Sequence, residues 1–106
     1  MPNRGRVQGH PRDYLRSGTW PDGTIRKGAP AAVWWAAEIS KRLAAALDDD
    51  REQRTLSELA LEVDLARSTI YKMTDGSSWP DVVSIVKLQD ALGVKLWPDW
   101  EPGSKP

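Results

Sequence analysis

Residues 55–76, TLSELALEVDLARSTIYKMTDG, contain two short helical patterns separated by three residues. The first pattern opens on Thr55, with Glu58 three positions later. This spacing is typical of a capping box, in which each side chain accepts a hydrogen bond from the other residue's backbone N–H. Leu59 and Val63 then fall on one helical face. The sequence therefore predicts a helix that begins directly after Thr55.

The second pattern follows an interruption at residues 64–66. Ile70 and Met73 restart the helical period, and Gly76 supplies the left-handed residue that commonly ends a helix. Ala60 is small enough to let two helix backbones approach closely where they cross, and Asp64 tolerates the positive φ of a tight turn. These features predict a helix-turn-helix over residues 55–76.

Two further helices flank this stretch. One is predicted to begin near Pro30, to carry Ile39, Leu43 and Leu47 on its inner face, and to end at the acidic residues 48–50, which oppose the helix dipole. The other is predicted after Trp79-Pro80, capped by Asp81 and closed by residues 91–94. Its expected apolar residues are Val82, Ile85, Val86 and Leu88, and its expected outer residues are Ser84, Lys87 and Asp90.

Four motifs at these spacings resemble the Cro/CI (lambda-repressor-like, XRE) family of DNA-binding domains: T-x-x-E-L-A, R-S-T-I-Y-K, G-x-x-x-P and A-L-G-V. The resemblance covers about residues 39–94. It implies an all-α, four- to five-helix bundle. The chain departs from the family pattern at four positions: Asp64 replaces the usual turn Gly, Leu56 a frequent Gln, Ala66 the usual Ser cap, and Gln89 a buried Ala.

The chain divides into three segments by composition. Residues 1–29 carry three prolines and five glycines and are expected to form an irregular basic arm, pinned in part by apolar residues that include Tyr14 and Trp20. Residues 30–95 are expected to form the helix-turn-helix domain, and residues 96–106 a tail rich in Trp and Pro. The net charge is zero, but residues 1–32 carry +4 and residues 33–106 carry −4. Nucleic-acid binders often carry such a basic arm.

The resemblance implies that the second helix of the motif lies in the major groove of double-stranded DNA. The residues matched to base contacts are Arg67, Ser68, Tyr71 and Lys72. The residues expected near the DNA backbone are Ser57, Thr69, Arg54 and Arg51. The arm cations are candidates for phosphate or minor-groove contact, or else belong to a solvated tail: Arg4, Arg6, Arg12, Arg16, Arg26 and Lys27. Asp75 is expected to point away from phosphate.

Composition excludes several functions. The chain has no cysteine and one histidine, so thiolate and paired-histidine metal sites are excluded and no cofactor is expected. His10 has no nucleophile signature nearby, residues 48–50 fan outward at a helix end, and no phosphate-binding glycine loop occurs, so we expect no enzyme. No apolar run is long enough to span a membrane, and the N-terminal residues do not read as a secretory signal, which favours a cytoplasmic protein.

Two hypotheses remain open from the sequence. The first is a sequence-specific, repressor-like regulator of phage or bacterial type, expected to be a homodimer because one such helix reads only a few base pairs. The second is an interaction module or antitoxin-like protein that kept the fold and binds DNA weakly or not at all. Leu56, Ala66, the acidic body and the six tryptophans favour the second, through a partner protein that contacts exposed tryptophans.

Overall fold

Four α-helices form the body of the protein within residues 9–99, the part of the chain that the computed structural model describes. A 3₁₀ turn and two short strands precede them. In chain order the elements are the 3₁₀ turn Pro11–Tyr14, β1 (Leu15–Ser17), β2 (Thr24–Ile25), α1 (Ala31–Asp50), α2 (Leu56–Val63), α3 (Arg67–Asp75) and α4 (Val82–Leu92). The predicted small all-α bundle is confirmed.

The α2–α3 corner forms as the sequence predicts. Thr55 Oγ1 accepts a hydrogen bond from Glu58 N at 3.1 Å, and Glu58 Oε1 accepts one from Thr55 N at 2.7 Å. Asp64 adopts φ 56°, the left-handed conformation that the turn requires. Leu65 N then donates to Ala60 O at 3.0 Å, which closes the turn against the end of α2. The orientation of α3 relative to α2 is therefore fixed by backbone hydrogen bonds as well as by packing.

One apolar core joins the four helices. Ile39 and Leu43 of α1 are buried, as predicted, and meet buried residues from every other helix. Leu56, which departs from the family pattern, packs against this core and so has an apolar role. The remaining buried core residues are Leu59, Ala60, Val63, Ile70, Met73, Ile85, Leu88 and Leu96. Burying each large aliphatic side chain contributes about 1.5–3 kcal/mol.

The outer face of α4 differs from the prediction. Ser84 was expected outside but is buried, whereas Val82 and Val86 were expected to line the helix and are exposed. Ser84, Ile85 and Leu88 are spaced as one helical face, and this face turns toward the core. The sequence prediction for α4 was wrong at these positions because the helix carries more valines than the core can bury, and the extra valines remain exposed.

Residues 9–29 contain the 3₁₀ turn and the two short strands, so this part of the arm has more regular structure than the sequence indicated. Leu15 pairs with Ile25 and Ser17 with Thr24 in an antiparallel ladder. Gly18 sits in the connection at φ 82°, a conformation that favours glycine. Residues 1–8 lie outside the described part. We call residues 9–29 the N-terminal clasp.

Side chains of the clasp are pinned to the body, as expected for Tyr14 and Trp20. The Tyr14 and Trp79 rings meet edge to face at 6.3 Å between centroids, and Trp79 Nε1 donates to Gly9 O at 2.8 Å. Trp20 Nε1 donates to Ser40 Oγ at 2.9 Å. Aromatic side chains therefore attach the clasp to the helical body.

The segment after α4 folds back on the core. Gln89 Oε1 accepts hydrogen bonds from Leu96 N at 2.8 Å and Trp97 N at 2.9 Å, which explains a polar residue at this position. Arg42 donates to Trp97 O at 3.2 Å. Within residues 9–99 no tryptophan is exposed: Trp20, Trp34, Trp35, Trp79 and Trp97 are all half-buried. Contact of a partner protein with tryptophan side chains stays a prediction, and Trp100 lies outside the described residues.

Candidate nucleic-acid interface

The outward side of α3 carries the four residues matched to base contacts. Arg67, Ser68, Tyr71 and Lys72 are all exposed, and 57% of Tyr71 is accessible. Ser68, Tyr71 and Lys72 stand at i, i+3 and i+4 and so share one helical face. Thr69 is half-buried beside them, in agreement with its expected place at the helix side. The exposed face of α3 thus presents two cations, a hydroxyl and a phenol to solvent.

The start of α3 lacks a side-chain cap. Ala66 takes the N-cap position with extended backbone (φ −71°, ψ 145°) and no capping hydrogen bond from its side chain. The first N–H groups of a helix have no intrahelical partner and carry the positive end of the helix dipole. At α2, by contrast, Thr55 and Glu58 satisfy each other's backbone groups. The beginning of α3 is therefore more open to an anionic partner than the beginning of α2.

Ser57 and Arg67 line one shallow groove between the starts of α2 and α3. The groove measures about 370 Å³ and also includes Asp64 and Leu65. The structure thus brings a predicted backbone residue next to a predicted base residue. Leu61, on the edge of the same groove, is 83% exposed. The sequence alone assigned no place to this leucine, although helical spacing puts it off the face of Leu59 and Val63.

Arg54 differs from its expected place at the DNA backbone. Its guanidinium donates to Asp50 Oδ2 at 2.7 Å and to Ala91 O at 2.6 Å, and it also pairs with Glu62. The hydrogen bond with Asp50 raises the pKa of Arg54. With all these partners in place, the side chain holds the α1–α2 connection to the end of α4.

Arg51 lies in a second groove of about 330 Å³, which Tyr71 also lines. It forms an ion pair with Asp48 at 2.8 Å, and both side chains are mostly exposed. Exposed pairs of this kind contribute little to stability because water screens them. Arg51 can therefore leave Asp48 for a phosphate at small cost, unlike Arg54.

Asp75 at the end of α3 is occupied locally. Its Oδ1 accepts hydrogen bonds from Ser77 N at 2.8 Å and Ser77 Oγ at 2.6 Å. Burial raises the pKa of Asp75, but the two Ser77 hydrogen bonds and the charges of Arg12 and Lys72 outweigh it and lower the pKa overall. Arg12 of the clasp thus stands close to Asp75 and offsets its charge beside the α3 face.

The clasp brings further cations to the body on a folded element. Arg12, Arg16, Arg26 and Lys27 are exposed, and the Arg26 guanidinium lies 5.2 Å from the centre of the Tyr14 ring. This distance is within the range of a cation–π contact. Arg4 and Arg6, also expected to contact DNA, lie outside the described residues.

Within residues 9–99, acidic and histidine side chains form no cluster that could hold a metal ion. None of the helices in this part of the chain combines the length and apolar character needed to cross a membrane.

Comparison with known families agrees with this geometry. Residues 47–96 match the family model described as Helix-turn-helix, which spans the end of α1, the α2–α3 corner, α4 and the start of the tail. No curated protein and no solved structure matches the chain. The matched family is one of DNA-binding, non-enzymatic domains and supports a DNA-binding regulator in general. The match over residues 47–96 therefore supports the Cro/CI-type helix-turn-helix domain that the sequence motifs indicated.

Proposed function

We propose that this protein is a sequence-specific, repressor-like regulator that reads the major groove of double-stranded DNA with α3. The observation that carries the proposal is the exposed face of α3 at the uncapped start of that helix, on a corner held by the left-handed Asp64. A rigid, solvent-facing helix with cations and hydroxyls matches the hydrogen-bonding edges of base pairs.

Each residue of the face has a chemistry suited to the groove. Arg67 can donate two hydrogen bonds to one guanine, and Ser68 can donate to or accept from a base. Tyr71 can pack on a thymine methyl or reach a phosphate. Lys72 supplies a point charge. Thr69 and Ser57 flank this face and are proposed to contact the backbone.

We assign the arginines of the α1–α2 connection different roles. Arg51, held only by an exposed ion pair, is proposed to reach a phosphate. Arg54 is proposed to act in the fold alone, because Asp50, Glu62 and the Ala91 carbonyl already occupy it. The cations of the clasp are proposed to contact phosphates on the flank of the site, which would compensate for the acidic body.

A second copy of the chain is the partner that this function needs. One α3 reads a few base pairs, and two-fold-related copies place two such helices on successive turns of the groove. The exposed valines of α4 support such a contact: Val82 is 64% and Val83 62% exposed, and Val86 follows one turn later. Lys87 and Asp90 flank the valines with opposite charges, as an interface that pairs with itself requires.

The experiment that tests the proposal is the Arg67→Ala substitution, with binding followed by fluorescence anisotropy on a duplex selected by the parent protein. We expect a loss of about 1–3 kcal/mol on that duplex and a relaxed preference at one base pair. Lys41→Ala, which removes another exposed cation from α1, is the control and should leave the preference intact. Equal affinity of Arg67→Ala and parent would reject the assignment.

The valine face of α4 also suits the second hypothesis, an interaction module with weak or no DNA binding. A different protein on this face would raise the sedimenting mass of the chain without any duplex present. Binding of that protein with no measurable affinity for DNA would favour the module over the regulator.

A further inference from the structure

The C-terminal end of α3 obtains its hydrogen-bond partners from elsewhere in the chain. The last four carbonyl groups of a helix have no partner inside that helix. Lys72 O accepts from the residues directly after α3, but Met73 O accepts from Ser40 Oγ of α1 at 2.5 Å. Beyond the helix, Gly76 O accepts from Arg12 N of the clasp at 3.0 Å. The end of α3 is thus held by α1 and by the clasp.

Trp20 contacts the Ser40 hydroxyl from the side of the clasp. Its indole Nε1 donates to Ser40 Oγ at 2.9 Å, and an indole N–H can only donate. Ser40 is 1% exposed, so no water competes for its single proton. Met73 O can only accept, so the Ser40 proton goes to it, while the indole N–H donates to the same Ser40 oxygen and helps to hold it in place. The three residues form a relay that runs from the clasp through α1 to α3.

The ring of Trp20 makes a second contact with the same end of α3. A Cβ at Gly76 would lie 2.6 Å from the Trp20 Cγ atom, so the indole rests directly on the glycine backbone. Neither Trp20 nor Ser40 falls within residues 47–96, the part that matches the family. This support for α3 is therefore an addition by residues outside the matched domain.

We propose that Trp20 and Ser40 are positioning residues that set the pose of the DNA-reading face. This inference rests on the proposed function, in which Tyr71 and Lys72 contact DNA. Those two residues immediately precede Met73, so a shift at the Met73 carbonyl moves their side chains. Hydrogen bonds to base edges weaken steeply when their distance or angle changes, whereas the attraction between a cation and a phosphate changes only gradually with distance. Loss of the relay should therefore weaken specific binding more than non-specific binding.

The test compares two variants of the relay with one matched control. Trp20→Phe keeps a ring on Gly76 and removes only the N–H donor, and Ser40→Ala removes the link to Met73. Trp79→Phe is the control: it removes an indole N–H that donates to Gly9 O of the same clasp but has no link to Met73. Affinity is measured for a duplex selected by the parent and for a scrambled duplex of equal length.

Both relay variants should lower the ratio of specific to non-specific affinity by about tenfold, the order of one base contact. The double variant should lose no more than Ser40→Ala alone, because the two residues act in series. Trp79→Phe should keep the ratio of the parent. A readout without DNA is hydrogen exchange of the Gly76 and Ser77 amides, which donate to Lys72 O and should exchange about tenfold faster in Ser40→Ala.

An unchanged affinity ratio in Trp20→Phe, which keeps the ring and is the milder change, would overturn the inference even if Ser40→Ala fails to fold. The inference would also be overturned if a relay variant had a lower free energy of unfolding but the same ratio of specific to non-specific affinity as the parent. The relay would then have only a structural role. A parent protein that does not discriminate between the two duplexes would reject the proposed function itself, and the exchange of the Gly76 amide would then report whether the relay still holds α3.

Discussion

The guanidinium of Arg54 donates to the carbonyl oxygen of Ala91 at 2.6 Å and thereby joins the α1–α2 connection to the last turn of α4. The same group holds Asp50 at the end of α1. Asp50 stands where the helix dipole disfavours a negative charge, and Arg54 compensates for it. One side chain thus satisfies a carbonyl at the end of α4 and neutralises a carboxylate at the end of α1.

Arg54→Ala should lower the free energy of unfolding by roughly 1–3 kcal/mol, because it leaves the Ala91 carbonyl and the half-buried Asp50 without this partner. Arg51→Ala is the matched control and should change it by less than about 0.5 kcal/mol, since Arg51 makes only an exposed ion pair. Urea unfolding measures both. Equal effects of the two substitutions would contradict the structural role of Arg54.

Gly76→Ala should destabilise the protein more than Gly93→Ala. Both glycines end a helix in the left-handed conformation, at φ 77° and 67°, where alanine costs about 1–2 kcal/mol. Only at Gly76 would the new Cβ also collide with Trp20, whereas nothing lies within 4 Å of a Cβ at Gly93. Thermal unfolding of both variants compares them. Identical losses would mean that Trp20 does not rest on Gly76.

Acid should weaken the start of α4 through Asp81. The hydrogen bond from Ser84 N at 2.8 Å lowers the pKa of Asp81 because it stabilises the charged carboxylate. A lowered folded-state pKa adds stability that is complete above the unfolded-state pKa and is lost as pH falls through the folded-state pKa. Asp81→Asn keeps a capping oxygen that does not titrate. Its unfolding free energy should therefore fall less in acid than that of the parent, and parallel pH profiles would disprove this.

The clasp cations should set part of the salt dependence of DNA binding. Replacing Arg16 and Lys27 together by alanine should reduce the slope of log K against log salt by about 0.9 for each phosphate that the double variant no longer neutralises. Lys95→Ala removes an exposed cation from the segment that follows α4 and serves as the control. A slope equal to that of the parent in the double variant would show that Arg16 and Lys27 do not contact phosphates.

The sequence was sufficient for the features that depend on neighbouring residues. The capping box at Thr55, the left-handed turn at Asp64 and the helix end at Gly76 each follow from the chemistry of a few adjacent positions, and all three occur in the structure. The same local rules placed α1 between Pro30 and Asp50. The residues matched to base contacts also lie on the exposed side of α3, although their contact with DNA stays a prediction.

The features that the sequence missed depend on distant partners. The sequence around Trp20 does not indicate that the indole contacts Ser40 and Gly76. For that reason the sequence predicts an irregular arm over residues 9–29. The sequence around Arg54 does not distinguish it from other cations near the motif. Its structural role depends on a contact with Ala91, which lies 37 positions away in the chain. In the sequence, Gln89 is a polar residue at a position where the family usually has a buried Ala. Its role depends on the backbone of residues 96–97, which folds back and donates to it.

The central claim is that α3 reads a DNA sequence, and selection of bound duplexes from a random pool at near-physiological salt tests it most directly. We expect enrichment of a two-fold symmetric motif, with half-sites separated by about one helical turn. The same selection with Arg67→Ala should lose the preference at one position in each half. A folded protein that enriches no sequence would contradict the claim and leave the interaction module as the function to pursue.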